Sequence, residues 1–403
     1  MTKIALLVLL ILIILSTSNG DRTKMLFFRG RLSRGDKKGI CNSMVLPLGY
    51  PCQNHPVTTK DGFILGLQRI PTGISGNPSN KPPVLLQHGL MMDAGIWLLN
   101  QPDESLPFIL ADAGYDVWLA NSRGTRSSRG HTSLNPKDKK FWDWTWDEQV
   151  TYDLPTTVQY VYNQTGQNLH YVGHSVGTLI ALAALSKGEN WLNMIRSTVL
   201  LSPIAYLSQM PSPLGRTAAN NFVPERLYQL GFYKFYPKGG LVGKLLGKMC
   251  DKMGANCSNL MTSFTGKNCC LNSSRSGYFL EHEPQATSTK TMIHVCQMIR
   301  NGKIEMFRYK SDKVNLKHYG QINPPVYNMS RIRNDIPLYI SYGGKDALSD
   351  VNGVKTLLAS LKNHHPNKLV TQYLNNYAHA DFVFGVNANK FVYYPLMAFI
   401  ELN

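Results

Sequence analysis

A serine between two glycines is the first place in this chain where residue types and spacing could do chemistry. Gly173-His174-Ser175-Val176-Gly177 has the G-x-S-x-G spacing that displays a hydroxyl on a sharp turn from strand to helix. Its flanks supply that context: the apolar run Leu169–Val172 reads as a strand, and the Ala- and Leu-rich stretch Thr178–Leu185 as a helix. Gly173 and Gly177 keep the turn free of side chains. A serine hydroxyl is a weak nucleophile at neutral pH, so a base must take its proton. Around such a turn the chain order is serine, acid, histidine, each on a loop after a core strand. Leu338–Tyr342 leads through Gly343, Gly344 and Lys345 to Asp346, and Thr371–Leu374 leads to His379. Asp350 and Asp381 compete for the acid role but sit further past a strand end. In this reading Asp346 holds the imidazole of His379 in the right tautomer. The oxyanion of a tetrahedral intermediate needs two donors. One is the N–H of Val176; the other comes from His88–Met92 after the strand Val84–Gln87, with Leu90 first and Met91 second.

Several elements must hold these loops. Val57–Thr59, the turn Asp61-Gly62 and Phe63–Arg69 read as a hairpin. Pro83–Gln87, Asp116–Ala120 and Ser197–Leu201 are apolar enough to be buried strands, with Leu106–Ala113 helical between the first two. A helix over Asp147–Tyr162 is expected to be interrupted at Pro155 and ended by Gly166. Strands alternating with helices mean a mostly parallel sheet covered on both faces. The alternation stops between Pro203 and Asp335, where most cysteines and many aromatics lie. The division expected is a leader over 1–20, the first part of an α/β core over 21–203, an inserted, mainly helical cap over 204–335, and the second part of the core over 336–403.

Of the 403 residues, 43% are hydrophobic and 17% charged, against about 25% charged in a typical soluble domain. That composition excludes wholesale disorder, collagen, coiled coil and a multi-span membrane protein. The net charge of +17 comes from scattered basic residues without a nucleic-acid motif, so it reads as surface targeting or solubility, with no nucleic-acid partner. Lys3 precedes an apolar run from Ile4 to Leu15, then small and polar residues to Gly20. The run falls short of the roughly 20 residues that span a bilayer, so it reads as a signal peptide cut before Asp21. No later stretch matches its hydrophobicity, which leaves no transmembrane segment in the mature chain. Asn163, Asn256, Asn272 and Asn328 open glycosylation acceptors. Seven cysteines (41, 52, 250, 257, 269, 270 and 296) suit an oxidising compartment. They lack paired CxxC spacing, so no metal is expected, and no cofactor is called for. Their odd number leaves at least one thiol free or intermolecular; one or two disulfides are expected among residues 250–296, with connectivity open.

The chain resembles the acid lipase family of α/β-hydrolases, the group of gastric lipase, lysosomal acid lipase and secreted plant triacylglycerol lipases. The carriers run from Cys41 to the C-terminus: Gly49–His55, Thr59–Leu65, His88-Gly89-Leu90, Gly114–Gly124, Phe141–Asp143, Tyr152–Pro155, Gly173–Thr178, Gly343–Asp346 and Asn376–His379. Gly49–His55 looks most like plant members. The resemblance implies an α/β-hydrolase fold with a cap over the site, triacylglycerol or another lipid ester as substrate, and a triad on Ser175, Asp346 and His379. The expected function is a secreted serine lipase that works through an acyl-enzyme at a lipid–water interface; a vacuolar or lysosomal lumen is the other compartment. Alternatives are a sterol-ester hydrolase, a short-chain esterase and a non-catalytic lipid carrier. Leu241, Val242, Leu245, Leu246 and Met249, with Lys244 and Lys248 between, form an expected amphipathic helix that packs downward or lies on lipid.

Overall fold

Apolar runs of four to eight residues punctuated by glycine, proline and asparagine dictate a sheet of short buried strands. The structure, a computed structural model, describes residues 39–238, 262 and 264–403. Its strands in chain order are β1 (Gln53–Thr58), β2 (Phe63–Ile70), β3 (Lys81–Gln87), β4 (Tyr115–Ala120), β5 (Gly130–His131), β6 (Leu169–His174), β7 (Ile195–Leu201), β8 (Lys234–Phe235), β9 (Thr287–Ser288), β10 (Leu338–Gly343) and β11 (Leu369–Leu374). The main sheet runs β1-β2-β4-β3-β6-β7-β10-β11, with β5 added beside β2. From β4 to β11 all pairs are parallel, while β1, β2 and β5 are antiparallel additions at one end.

The strand order fixes where chemistry can sit. β3 lies between β4 and β6, so the chain leaves β3 on one side and returns on the other. Loops at the carboxyl ends of β3 and β6 therefore splay apart over a crevice, where open α/β sheets bind ligands. Gln87 at the end of β3 is in register with Gly173 at the end of β6, which sets the loop carrying Leu90 beside Ser175.

Both faces of the sheet are covered. Leu85, Trp118 and Tyr171 point into one apolar cluster, and Val84, Leu86, Val117, Leu119 and Val172 into the other. Helix α1 (Leu106–Asp112) belongs to the second face; α2 (Leu154–Thr165) and α3 (Val176–Lys187) belong to the first. Every residue of α3 from Val176 to Ser186 is buried. A helix apolar all round can exist only inside a core, and this one supports the serine at its N-terminus. The expected interruption at Pro155 does not occur. The helix runs on from Trp146–Glu148 through a π-turn over Gln149–Asp153, and Pro155 then stands in the first turn of α2. The π-turn before it, closed by the Leu154 N–H on Gln149 O, resets the hydrogen-bond register where proline has no N–H to give. Gly166, at φ 68°, ends α2 as expected.

Between β7 and β10 the described residues form α4 (Pro213–Asn220), α5 (Val223–Gln229), α6 (Ser276–His282), α7 (Thr289–Asn301) and α8 (Asp312–Tyr319), with β8 and β9 paired as a small antiparallel ribbon. The chain closes with α9 (Val351–Ser360), α10 (Asp381–Phe384) and α11 (Tyr394–Glu401). The expected helix over 241–249 and the leader over 1–20 lie outside the described residues. Among the described residues no helix is long and apolar enough to cross a membrane.

Candidate active site

Ser175 sits between β6 and α3 at φ 56°, ψ −124°, a conformation that costs on the order of 1–3 kcal/mol for a residue with a side chain. The surroundings impose it. A Cβ on Gly173 would meet the Gly177 carbonyl carbon at 2.8 Å, and one on Gly177 would meet the Gln87 carbonyl oxygen at 2.6 Å. The spacing of the motif is thus a record of two close backbone approaches. The Ser175 N–H donates to Leu201 O of β7 at 3.1 Å, which fixes the turn from the other side.

The structure brings the three expected side chains together. Ser175 Oγ lies 2.7 Å from His379 Nε2, and His379 Nδ1 lies 2.9 and 3.1 Å from the two oxygens of Asp346. An ionised carboxylate only accepts, so the ring proton belongs on Nδ1 and leaves Nε2 free to take the proton of Ser175. All three residues are buried. The other oxygen contacts of Asp346 hold it still: Oδ1 accepts the N–H groups of Leu348 and Ser349, each at 2.8 Å. Asp350 and Asp381 are committed elsewhere. Asp350 caps α9 by accepting from Asn352 and Gly353. Asp381 accepts the N–H groups of Ala378 (2.7 Å), Cys269 and Cys270 (both 3.1 Å).

The loop after β3 approaches the nucleophile closely enough to require glycine. A Cβ on Gly89 would stand 2.8 Å from Ser175 Cβ and 3.2 Å from its Oγ. Leu90 and Val176 both line a narrow recess beside the serine, together with Met92, Thr125 and Thr287. The runner-up donor Met91 takes φ 58°, and its carbonyl accepts from Gln285 at 2.6 Å.

Four supporting residues escaped the sequence reading. Ser202, at the end of β7 with φ 54°, is completely buried and donates to Asp346 Oδ2; its Oγ is also 3.1 Å from His379 Nδ1. His88 uses Nδ1–H to donate to Gly89 O at 2.7 Å and Nε2 to accept from Ser122 N–H at 3.0 Å, and burial lowers its pKa to about 4. His174 donates from Nε2 to the His379 carbonyl at 3.1 Å, and burial keeps it well below the usual imidazole range. Thr265, from the segment between β7 and β10, offers its carbonyl to the N–H groups of His379 (3.0 Å) and Ala347 (3.2 Å). Only Ser202 carried a signal, as a hydroxyl at a strand end facing the acid loop. The other three work through contacts that residue type does not announce.

Among the described residues the cysteines pair as Cys41–Cys52 and Cys269–Cys270, with Cys296 free and buried; Cys250 and Cys257 lie outside them. Of the glycosylation acceptors, Asn163 and Asn328 are exposed, Asn272 is half-buried, and Asn256 lies outside the described residues.

A parallel sheet with a strained serine at the end of its central strand, backed by histidine and aspartate from later strand ends, defines an α/β-hydrolase. Residues 41–101 match the family described as the partial alpha/beta-hydrolase lipase region, and residues 82–246 match the alpha/beta hydrolase fold. Triacylglycerol lipase 2 of Arabidopsis thaliana is 48% identical over 367 residues, which cover 90% of this chain and 88% of that protein. Human gastric triacylglycerol lipase is 37% identical over 384 residues, covering 92% of this chain and 94% of its own. The chain belongs to the lipase family that unites these plant and gastric proteins. In fold it is also like a soluble variant of the monoglyceride lipase of Saccharomyces cerevisiae, with a TM-score of 0.53 at 16% identity over 88% of this chain and 94% of that one.

Proposed function

We propose that this protein hydrolyses triacylglycerols to free fatty acids through an acyl-enzyme. The observation that carries the reading is Ser175 Oγ 2.7 Å from His379 Nε2, with Asp346 behind the ring, in a chain 48% identical to a plant triacylglycerol lipase. His379 takes the hydroxyl proton as Ser175 attacks the ester carbonyl. The N–H groups of Val176 and Leu90 receive the negative charge that develops on the carbonyl oxygen. His379 then protonates the departing diacylglycerol oxygen, and water, deprotonated by the same ring, releases the fatty acid. Asp346 stabilises the imidazolium in both halves.

The segment 204–335 is the proposed cap. Thr287 lines the recess beside Leu90, and the Thr265 carbonyl braces the His379 backbone. An apolar substrate in a lipid–water interface is the proposed partner, reached when the cap admits an acyl chain. The leader over residues 1–20 and the exposed acceptors Asn163 and Asn328 support a secreted or lumenal glycoprotein. The test is fatty-acid release from emulsified triolein by the purified protein and by Ser175→Ala. The variant is expected to lose roughly ten-thousandfold or more in kcat. Turnover of soluble short esters without triolein would make the protein an esterase, and equal release by wild type and variant would refute the mechanism.

A further inference from the structure

Two carboxyl groups face one another out of water where the segment after α6 meets the loop after β3. Asp93 is 5% exposed and Glu283 4%. Glu283 Oε1 accepts the Asp93 N–H at 3.0 Å, and Asp93 Oδ1 accepts the Gly95 N–H at 2.8 Å. The two carboxyls also act on each other's protonation, and among the described residues Glu283 Oε2 has no hydrogen-bond partner. A buried acceptor without a donor is costly, but the same oxygen carrying a proton becomes the donor that Asp93 can accept. Two ionised carboxylates cannot both persist in such a site. Burial is the largest cause raising both groups. The charged groups that act against it are Arg126 and His282 toward Asp93 and Lys238 toward Glu283.

The pair does not stand alone. Two residues further on, the Gln285 N–H donates to Met91 O at 2.6 Å, with Met91 held at φ 58°. Residues 283–285 thus grip residues 91–93 at two points, and the nearer lies one residue from Leu90. We infer that Glu283 is a positioning residue for the oxyanion loop: its carboxyl donates a proton from Oε2 to the Asp93 carboxylate and so keeps the Leu90 N–H aimed at the reacting oxygen. This rests on the serine-hydrolase reading above. One proton is bound between the two groups while the grip holds. When it leaves to solvent, two buried negative charges oppose each other and the grip loosens. Both groups are raised in the folded protein, so the grip is complete in acid. The stability the pair contributes falls as pH climbs from the ordinary glutamate value of 4.5 toward the raised one, and the grip itself loosens as pH passes the raised one.

The experiment compares wild type, Glu283→Gln and Glu283→Leu by kcat and KM on a soluble butyrate ester across about pH 4 to 8. Thermal unfolding midpoints are measured over the same range. Glutamine carries a donor at every pH, so Glu283→Gln is expected to extend the alkaline limb of kcat by about one pH unit with KM unchanged. Leucine removes the donor and leaves the Asp93 carboxyl with the Gly95 N–H as its remaining named donor, which is expected to lower kcat about tenfold throughout. A Glu283→Gln profile superimposable on wild type, or a change confined to KM, overturns the inference. The unfolding midpoint needs no substrate: the wild-type value should fall more steeply with rising pH than that of Glu283→Gln, and parallel curves overturn the shared proton. If the wild type cleaves no ester, the proposed function fails, and the unfolding curves still decide the pair.

Discussion

The loops at the ends of β3, β6, β10 and β11 and the segment between β7 and β10 meet over the same serine, but different constraints shape them. The loops carry their constraints in residue type. Ser175 takes a positive φ, Gly173 and Gly177 admit backbone within 3 Å of where a Cβ would stand, and Gly89 admits the nucleophile itself. The segment reaches the site mostly through main chain: the Thr265 carbonyl on His379, the Gln285 N–H on Met91, and the N–H groups of Cys269 and Cys270 on Asp381. Any residue but proline can donate a backbone N–H. The chemistry of this protein therefore lies in side chains, while much of its support lies in contacts that leave little trace in the sequence.

Gly89→Ala tests the first half of that contrast and should cost more activity than any change in the supporting contacts. The added methyl would sit 2.8 Å from Ser175 Cβ, with His174 Nδ1 at 3.5 Å. Either the nucleophile or the loop must give way, and a misplacement of about 1 Å costs about a hundredfold in rate. The expected result is a loss of about that size in kcat/KM with a small change in unfolding midpoint. Wild-type kinetics would mean that the loop moves freely and that its glycine is not a constraint.

Asp381→Asn tests the other half. Asp381 is fully buried and collects three backbone N–H groups, one from the histidine loop and two from the Cys269–Cys270 strap. Ala378 and Cys269 share Oδ2 and Cys270 alone uses Oδ1, so asparagine with its oxygen toward Ala378 keeps two bonds and turns its NH₂ on the Cys270 N–H. The strap should loosen at Cys270 and the His379 loop with it, which lowers kcat about tenfold at a cost of roughly 1–3 kcal/mol in stability. If stability falls while kcat holds, the segment stiffens the fold without positioning the histidine. A tenfold loss that dithiothreitol reproduces in the wild type would assign the effect to the strap.

These contacts also explain what could be read in advance. The strands, the serine turn, Asp346 and His379 were legible because apolar runs, glycine pairs and strand ends are local patterns. The continuous helix through Pro155 was not, because a π-turn is a one-residue adjustment with no compositional mark. The Cys41–Cys52 bridge depends on how the Gly49–His55 segment folds back, and spacing alone could not choose it. The competing acids Asp350 and Asp381 already ranked below Asp346 by their distance past a strand end, and their backbone partners show what they do instead.

The smallest expected effect on activity concerns protons, and it separates the two regions by sign. Where the segment meets the core, burial favours the protonated carboxyl: it raises Asp147, which accepts from Phe307 N–H and Tyr327 Oη, to about 6. An acid raised in the folded state contributes stability in acid that is lost as pH rises toward that value. In the loop after β3 the reverse holds at His88. Its two nitrogens are used as one donor and one acceptor, so the ring must be neutral, and a second proton would break the bond from Ser122. Its pKa drops from 6.5 to about 4, so the unfolded chain binds the proton first and stability falls as pH decreases through that window. His170, also lowered to about 4 by burial, adds the same slope, which a difference measurement cancels. His88→Gln keeps a donor and an acceptor without titrating. Urea unfolding of the two proteins should therefore shift in favour of the variant as pH falls, by up to roughly 3 kcal/mol over the window. Parallel stability curves would mean that His88 is already charged in the folded protein, and its hydrogen bonds would then have to be redrawn.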